Sequence, residues 1–150
     1  ILDEADMTDT EILHCKIIRD ADKIDSFRAK TVDDIYTMAN INKEDIENSK
    51  VTKKVYDAFK EHKTIISKDR QTGLDIWTSY IAFIFGLEFK GSYELINKND
   101  YLNKLQQDDK YEEVKEALNV GEYNMIVTPK EIDDLIENMK DVVMLPLRTR

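Results

Sequence analysis

The sequence predicts an all-α domain, with a short strand pair near its C-terminal end as the only β structure it allows. Three observations carry this expectation. Apolar residues recur at helical spacing, as in Leu13, Ile17, Ala21 and Ile24. Strong helix-start signals recur along the chain, from Thr8 to Thr128-Pro129. No alternation of strands with helices runs through it.

Thr8-Asp9-Thr10-Glu11 reads as a capping box, with Glu11 reaching back to the Thr8 backbone. It starts a helix expected to run to about Lys30. Thr31, Asp33 and Asp34 start a short helix through Met38, and residues 40–49 read as a polar connection. Ser49 is the expected cap of a helix holding Val51, Val55, Ala58 and Phe59. Thr72-Gly73-Leu74-Asp75 opens the next helix and Gly86 closes it. Leu74, Trp77, Ile81, Ile84 and Phe85 form a broad apolar face there, with Ile76 and Phe83 opposite. A helix apolar nearly all round belongs at the centre of a core. It also offers more apolar surface than the other helices can obviously cover, which predicts an exposed patch.

Shorter helices are expected around 92–96, 100–106 and 111–118. Residues 123–127 read as a short strand. Thr128-Pro129 then starts a helix with Ile132, Leu135, Ile136 and Met139 on one face. Residues 142–147 read as an extended apolar segment that docks on another surface or pairs as a strand.

A chain of 150 residues with 41% hydrophobic content suits one domain with one core. Its net charge of −9, with basic residues dispersed, argues against nonspecific binding to nucleic acid or to an anionic membrane. The longest apolar run, residues 80–87, is too short to span a bilayer. Cys15 is the single cysteine, which fits a reducing compartment and a cytoplasmic location.

The stretch with most chemistry is Arg19-Asp20-Ala21-Asp22-Lys23-Ile24-Asp25. On a helical wheel Asp22 and Asp25 lie roughly 60° apart on one flank. Asp20 borders the apolar stripe on the other side, and Arg28 falls within it. This predicts Asp22 facing outward into a site that Asp20, Asp25 and Arg28 support. Asp20 and Arg28 are expected to be buried and charge-paired. A calcium loop is excluded, because its sixth and twelfth positions would be Asp25 and Thr31. A strand-borne phosphatase Asp-x-Asp conflicts with the helical period. A plain solvated flank with ion pairs remains the competing reading.

His14 and His62 are too few and too far apart in sequence to suggest a metal centre. Cys15 reads as a small packed residue, and Trp77 as core. Lys68-Asp69-Arg70 reads as a charged loop.

The run from Ile12 through Arg19-Asp20-Ala21-Asp22-Lys23-Ile24-Asp25 resembles the closing motif of HD-domain metal-dependent phosphohydrolases. Residues 72–89, with Leu74-Asp75-Ile76-Trp77, resemble the later helices of bacterial members. The resemblance implies an HD-like helical bundle. It also implies that Asp22 is a ligand of a divalent metal (Mn, Mg, Fe, Ni or Zn) and that Lys23 faces substrate phosphate. The implied activity is hydrolysis of a phosphate ester, with nucleotides among the candidates.

The histidine and His-Asp motifs of the family are absent from the chain, since His14 precedes Cys15 and His62 precedes Lys63. The expectation is therefore that residues 1–120 are the C-terminal portion of such a domain, with those motifs before Ile1 and 121–150 an unassigned extension. Metal binding by this chain alone should then be weak or absent. The expected partners are a small phosphorylated substrate and either the N-terminal portion of the same domain or a second copy of the chain. The competing class is a non-catalytic helical binding or regulatory module whose acidic motif is a structural ion-pair cluster.

Overall fold

The long first helix, α1 (Asp9–Val32), begins at the expected capping box: the Thr8 hydroxyl accepts from Glu11 N–H and Glu11 returns to Thr8 N–H. The computed structural model describes residues 6–119 and 125–139, and within them the structure is helical, with no strand. After α1 come α2 (Ile35–Ala39), α3 (Lys43–Glu47) and α4 (Lys53–Lys60). Then follow α5 (Gly73–Ile81), α6 (Lys90–Lys98), α7 (Tyr101–Gln106), α8 (Glu112–Asn119) and α9 (Pro129–Glu137). Short 3-10 turns cover Ser67–Asp69, Ala82–Gly86 and Asp109–Tyr111.

The centre is α5 with its 3-10 continuation to Gly86, as expected. Leu74, Trp77, Ile81, Ala82 and Ile84 are buried in one cluster with residues from almost every other helix. Trp77 donates its indole N–H to the Leu105 carbonyl at 2.8 Å and stacks edge-on with Tyr111. α1 packs on α6 and α7, α3 on α8 and α5, and α9 on α6. Met125, Val127 and Ile132 belong to the same core cluster.

Two buried carboxylates tie helix starts together. Asp75 closes the Thr72 box within α5 and also accepts from the backbone N–H and hydroxyl of Thr52, the residue that precedes α4. Asp20 does the equivalent for α6.

The structure corrects several expectations. α1 is rotated from the anticipated stripe. Asp20, Phe27 and Lys30 are buried, whereas Ile17 is 48% exposed and Ile18 67% exposed. Phe27 and Ile18 are nine residues apart, roughly 180° on the wheel, so burying the phenylalanine turns the isoleucine outward. Arg28 turns out with it: its side chain is 54% exposed and pairs with Asp25 at 2.8 Å on the surface. The expectation of a buried Arg28 is wrong for that reason. Asp20 is buried, but its partners are amides and a hydroxyl rather than a cation.

The exposed apolar residues accordingly lie largely outside the central helix. Trp77, Ile81 and Ile84 are fully buried, while Ile17, Ile18 and Val32 of α1 are exposed. Residues 40–49 are not merely a connection, because Asn42 and Asp45 form a capping box for α3. The residue before α4 is Thr52 rather than Ser49, whose hydroxyl instead accepts from Leu74 N–H. Residues 125–127 form no strand; Val127 is bonded at both backbone groups by the Gln106 side-chain amide. Residues 123–124 and 142–147, the rest of the anticipated strand pair, lie outside the described residues.

Candidate functional site

The acidic motif occupies the middle of α1, where the helix crosses the turn between the 3-10 segment Ala82–Gly86 and α6. That turn gives α6 no side-chain cap of its own, because Phe89 stands at its N-cap. Asp20 supplies one from α1. Its carboxylate accepts from Glu88 N–H at 3.0 and 3.1 Å, from Phe89 N–H at 3.1 Å and from the Ser92 hydroxyl at 2.5 Å. A carboxylate here satisfies donors left open by the helix start and meets the positive end of the helix dipole. Asp20 is therefore fixed and only 2% exposed.

One turn further on, Lys23 donates from Nζ to the Gly86 carbonyl at 2.6 Å. A Cβ at residue 86 would lie 2.7 Å from that nitrogen and 2.7 Å from Thr64 Cγ2, so a side chain there would displace the Lys23 ammonium or the Thr64 methyl. Asp20 and Lys23 together clamp α1 onto this turn.

Asp22 is free of that clamp. It is exposed, and among the described residues its carboxylate enters no hydrogen bond or ion pair. Its electrostatic neighbour is Lys30, two turns along the same helix. Lys30 is 8% exposed, donates to the Ser26 hydroxyl at 2.5 Å, and sits 4.2 Å from the Tyr80 ring centre and 5.6 Å from that of Phe83. Burial pushes the Lys30 ammonium below its ordinary pKa, and the Asp22 charge opposes the shift. On the other side of Asp20, the Tyr93 phenol is pushed up to about 12 by burial, with the Asp20 and Glu88 charges adding to it.

The structure thus brings Asp20, Lys23 and the 86–92 turn together, and sets Asp22 beside Lys30. It leaves Asp25 and Arg28 as a separate surface pair. Sequence reasoning missed Lys30, Ser92 and the carbonyl role of Gly86. The one signal available was Lys30 standing seven residues after Lys23, on the same face.

Among the described residues no three His, Cys, Asp or Glu side chains converge as a metal site. His14 is exposed, and Cys15 is a half-buried free thiol. His62 takes a left-handed backbone (φ 56°) just after α4, stacks on Phe85 at 4.9 Å and lies 3.8 Å from Glu131. His62 is thus engaged by Phe85 and Glu131. No described helix is long and apolar enough to cross a membrane.

Compared with known proteins, the chain matches no family model, no curated protein and no solved structure.

Proposed function

We propose that this chain contributes the closing helices of an HD-type metal-dependent phosphohydrolase, with Asp22 as its metal-binding carboxylate. The observation that supports this reading is the division of labour within the motif. Asp20 is locked as a structural acceptor, while Asp22 is held on the same rigid helix with its carboxylate unengaged among the described residues. A divalent metal would polarise a phosphate ester and activate water. The described residues do not by themselves fit such an ion, because Asp22 lacks two further ligands. In this reading they come from a segment outside this chain.

Lys23 keeps one donor on Gly86, which leaves two of its three ammonium N–H groups for a phosphate oxygen. Asp20 and Ser92 hold the turn against which α1 is seated. The substrate class is a small phosphate ester, with nucleotides included.

The test is Asp22→Ala in the protein as its gene encodes it, with bound manganese and release of phosphate from nucleotides as readouts. Loss of both, with unchanged helical circular dichroism, is expected. Full activity in the variant overturns the assignment.

A second reading is favoured by the absence of a metal-capable trio among the described residues. It takes the chain as a non-catalytic helical binding or regulatory module whose motif is structural. A parent protein with neither bound metal nor phosphatase activity selects it.

A further inference from the structure

The outward face of α1 has an order that neither the core nor the acidic motif explains. Ile17, Ile18 and Val32 are 48%, 67% and 70% exposed, and Ala21 beside them is exposed too. Glu11, Ile18, Asp25 and Val32 of α1 are spaced by seven residues, and so are His14, Ala21 and Arg28. The two series interleave at alternating intervals of four and three, the a and d positions of a heptad. They form one stripe opposite Phe27, and Asp22 borders it on the side of Lys30.

We propose that this stripe is the contact between two copies of the chain, with their α1 helices paired antiparallel about a two-fold axis. Antiparallel helices place an a residue of one against a d residue of the other. One register matches three layers. Ile18 meets the partner's Ala21, Asp25 meets the partner's His14 and Arg28 meets the partner's Glu11. The two-fold repeats each contact, so an apolar centre is flanked on both sides by polar pairs of complementary type.

Neighbouring registers break this pattern. Sliding by one heptad sets Glu11 against the partner's Ala21, or Ile18 against the partner's Arg28. A parallel pair would set Glu11, Asp25 and Arg28 each against its own like charge. The Asp25–Arg28 pair within each chain, at 2.8 Å, already holds both groups on the stripe. The inference stands apart from the metal reading, because no stripe residue is a ligand in it.

Sedimentation velocity of the 150-residue chain over a concentration series tests the proposal. The wild type is expected to dimerise. Ile18→Glu, at a position that packs against nothing in the monomer core, should raise the dissociation constant by at least ~10-fold with unchanged circular dichroism. Glu11→Lys should weaken dimerisation, and Glu11→Lys combined with Arg28→Glu should restore it. Both lose the same Glu11 cap, so the recovery reports the intermolecular pair. A wild type that stays monomeric, a dimer indifferent to Ile18→Glu, or a charge swap that restores nothing overturns the proposal. So does capture of a different polypeptide through Ile18 in place of a second copy.

Discussion

The Asp20 carboxylate on α1 accepts a 2.5 Å hydrogen bond from the Ser92 hydroxyl on α6, a residue 72 positions further along the chain. The same carboxylate takes the N–H groups of Glu88 and Phe89, so α1 caps a helix it does not belong to. Charge-assisted bonds of this kind are worth more than neutral ones, and the donors left behind are buried. Asp20→Ala should cost about 3 kcal/mol and lower the melting temperature by several degrees. Ser92→Ala removes one of several donors and should cost about 1 kcal/mol. Equal melting temperatures for Asp20→Ala and the parent would refute the capping role.

Two groups near this clamp give stability a defined response to alkaline pH. Lys30 has its pKa lowered by burial, with Asp22 opposing. Between that lowered value and the ordinary 10.5, the unfolded chain binds more protons than the folded one, so this contribution rises with pH. Tyr93 is shifted the other way, from 10.0 to about 12, by burial and the neighbouring Asp20 and Glu88 charges. Across that window the folded state binds more protons, so this contribution is lost as pH rises. Urea denaturation at several alkaline pH values should show Lys30→Met removing the rise and Tyr93→Phe removing the fall. Difference curves that are flat for both variants would mean the two shifts have been misattributed.

What could be read in advance was local. Thr8 with Glu11, Thr72 with its following turn, and Thr128-Pro129 mark helix starts through contacts three residues apart, and all three hold. The facing of α1 could not be read that way. Ile17 and Ile18 compete with Phe27 on equal apolar terms, and the choice goes with partners of Asp20 that lie in α6 and the turn before it. Arg28 was misplaced with the stripe, whereas Asp22 on the flank stays outward under either rotation. For Lys30 the sequence offers only its seven-residue spacing from Lys23, because its aromatic neighbours, Tyr80 and Phe83, are distant in sequence. The anticipated strand at 123–127 failed where it is described for a related reason, since the backbone bonds that a strand would supply to Val127 come from a side chain.

That side chain is Gln106, which is buried and donates from Nε2 to the Val127 carbonyl at 2.8 Å while accepting the Val127 N–H at 3.0 Å. A primary amide offers a donor and an acceptor side by side, so it mimics a neighbouring strand for one residue. This pins residues 125–127, with Met125 and Val127 in the core, and delivers the chain to the start of α9. Gln106→Ala leaves both Val127 groups buried without partners and should cost about 2–4 kcal/mol. Gln106→Glu should be at least as damaging at neutral pH, since a carboxylate facing the carbonyl has no proton to give. Hydrogen exchange should show faster exchange at Val127 and through α9 in both variants, with α1 unaffected. Unchanged protection of α9 would show that Ile132 and its neighbours hold the helix without the clamp.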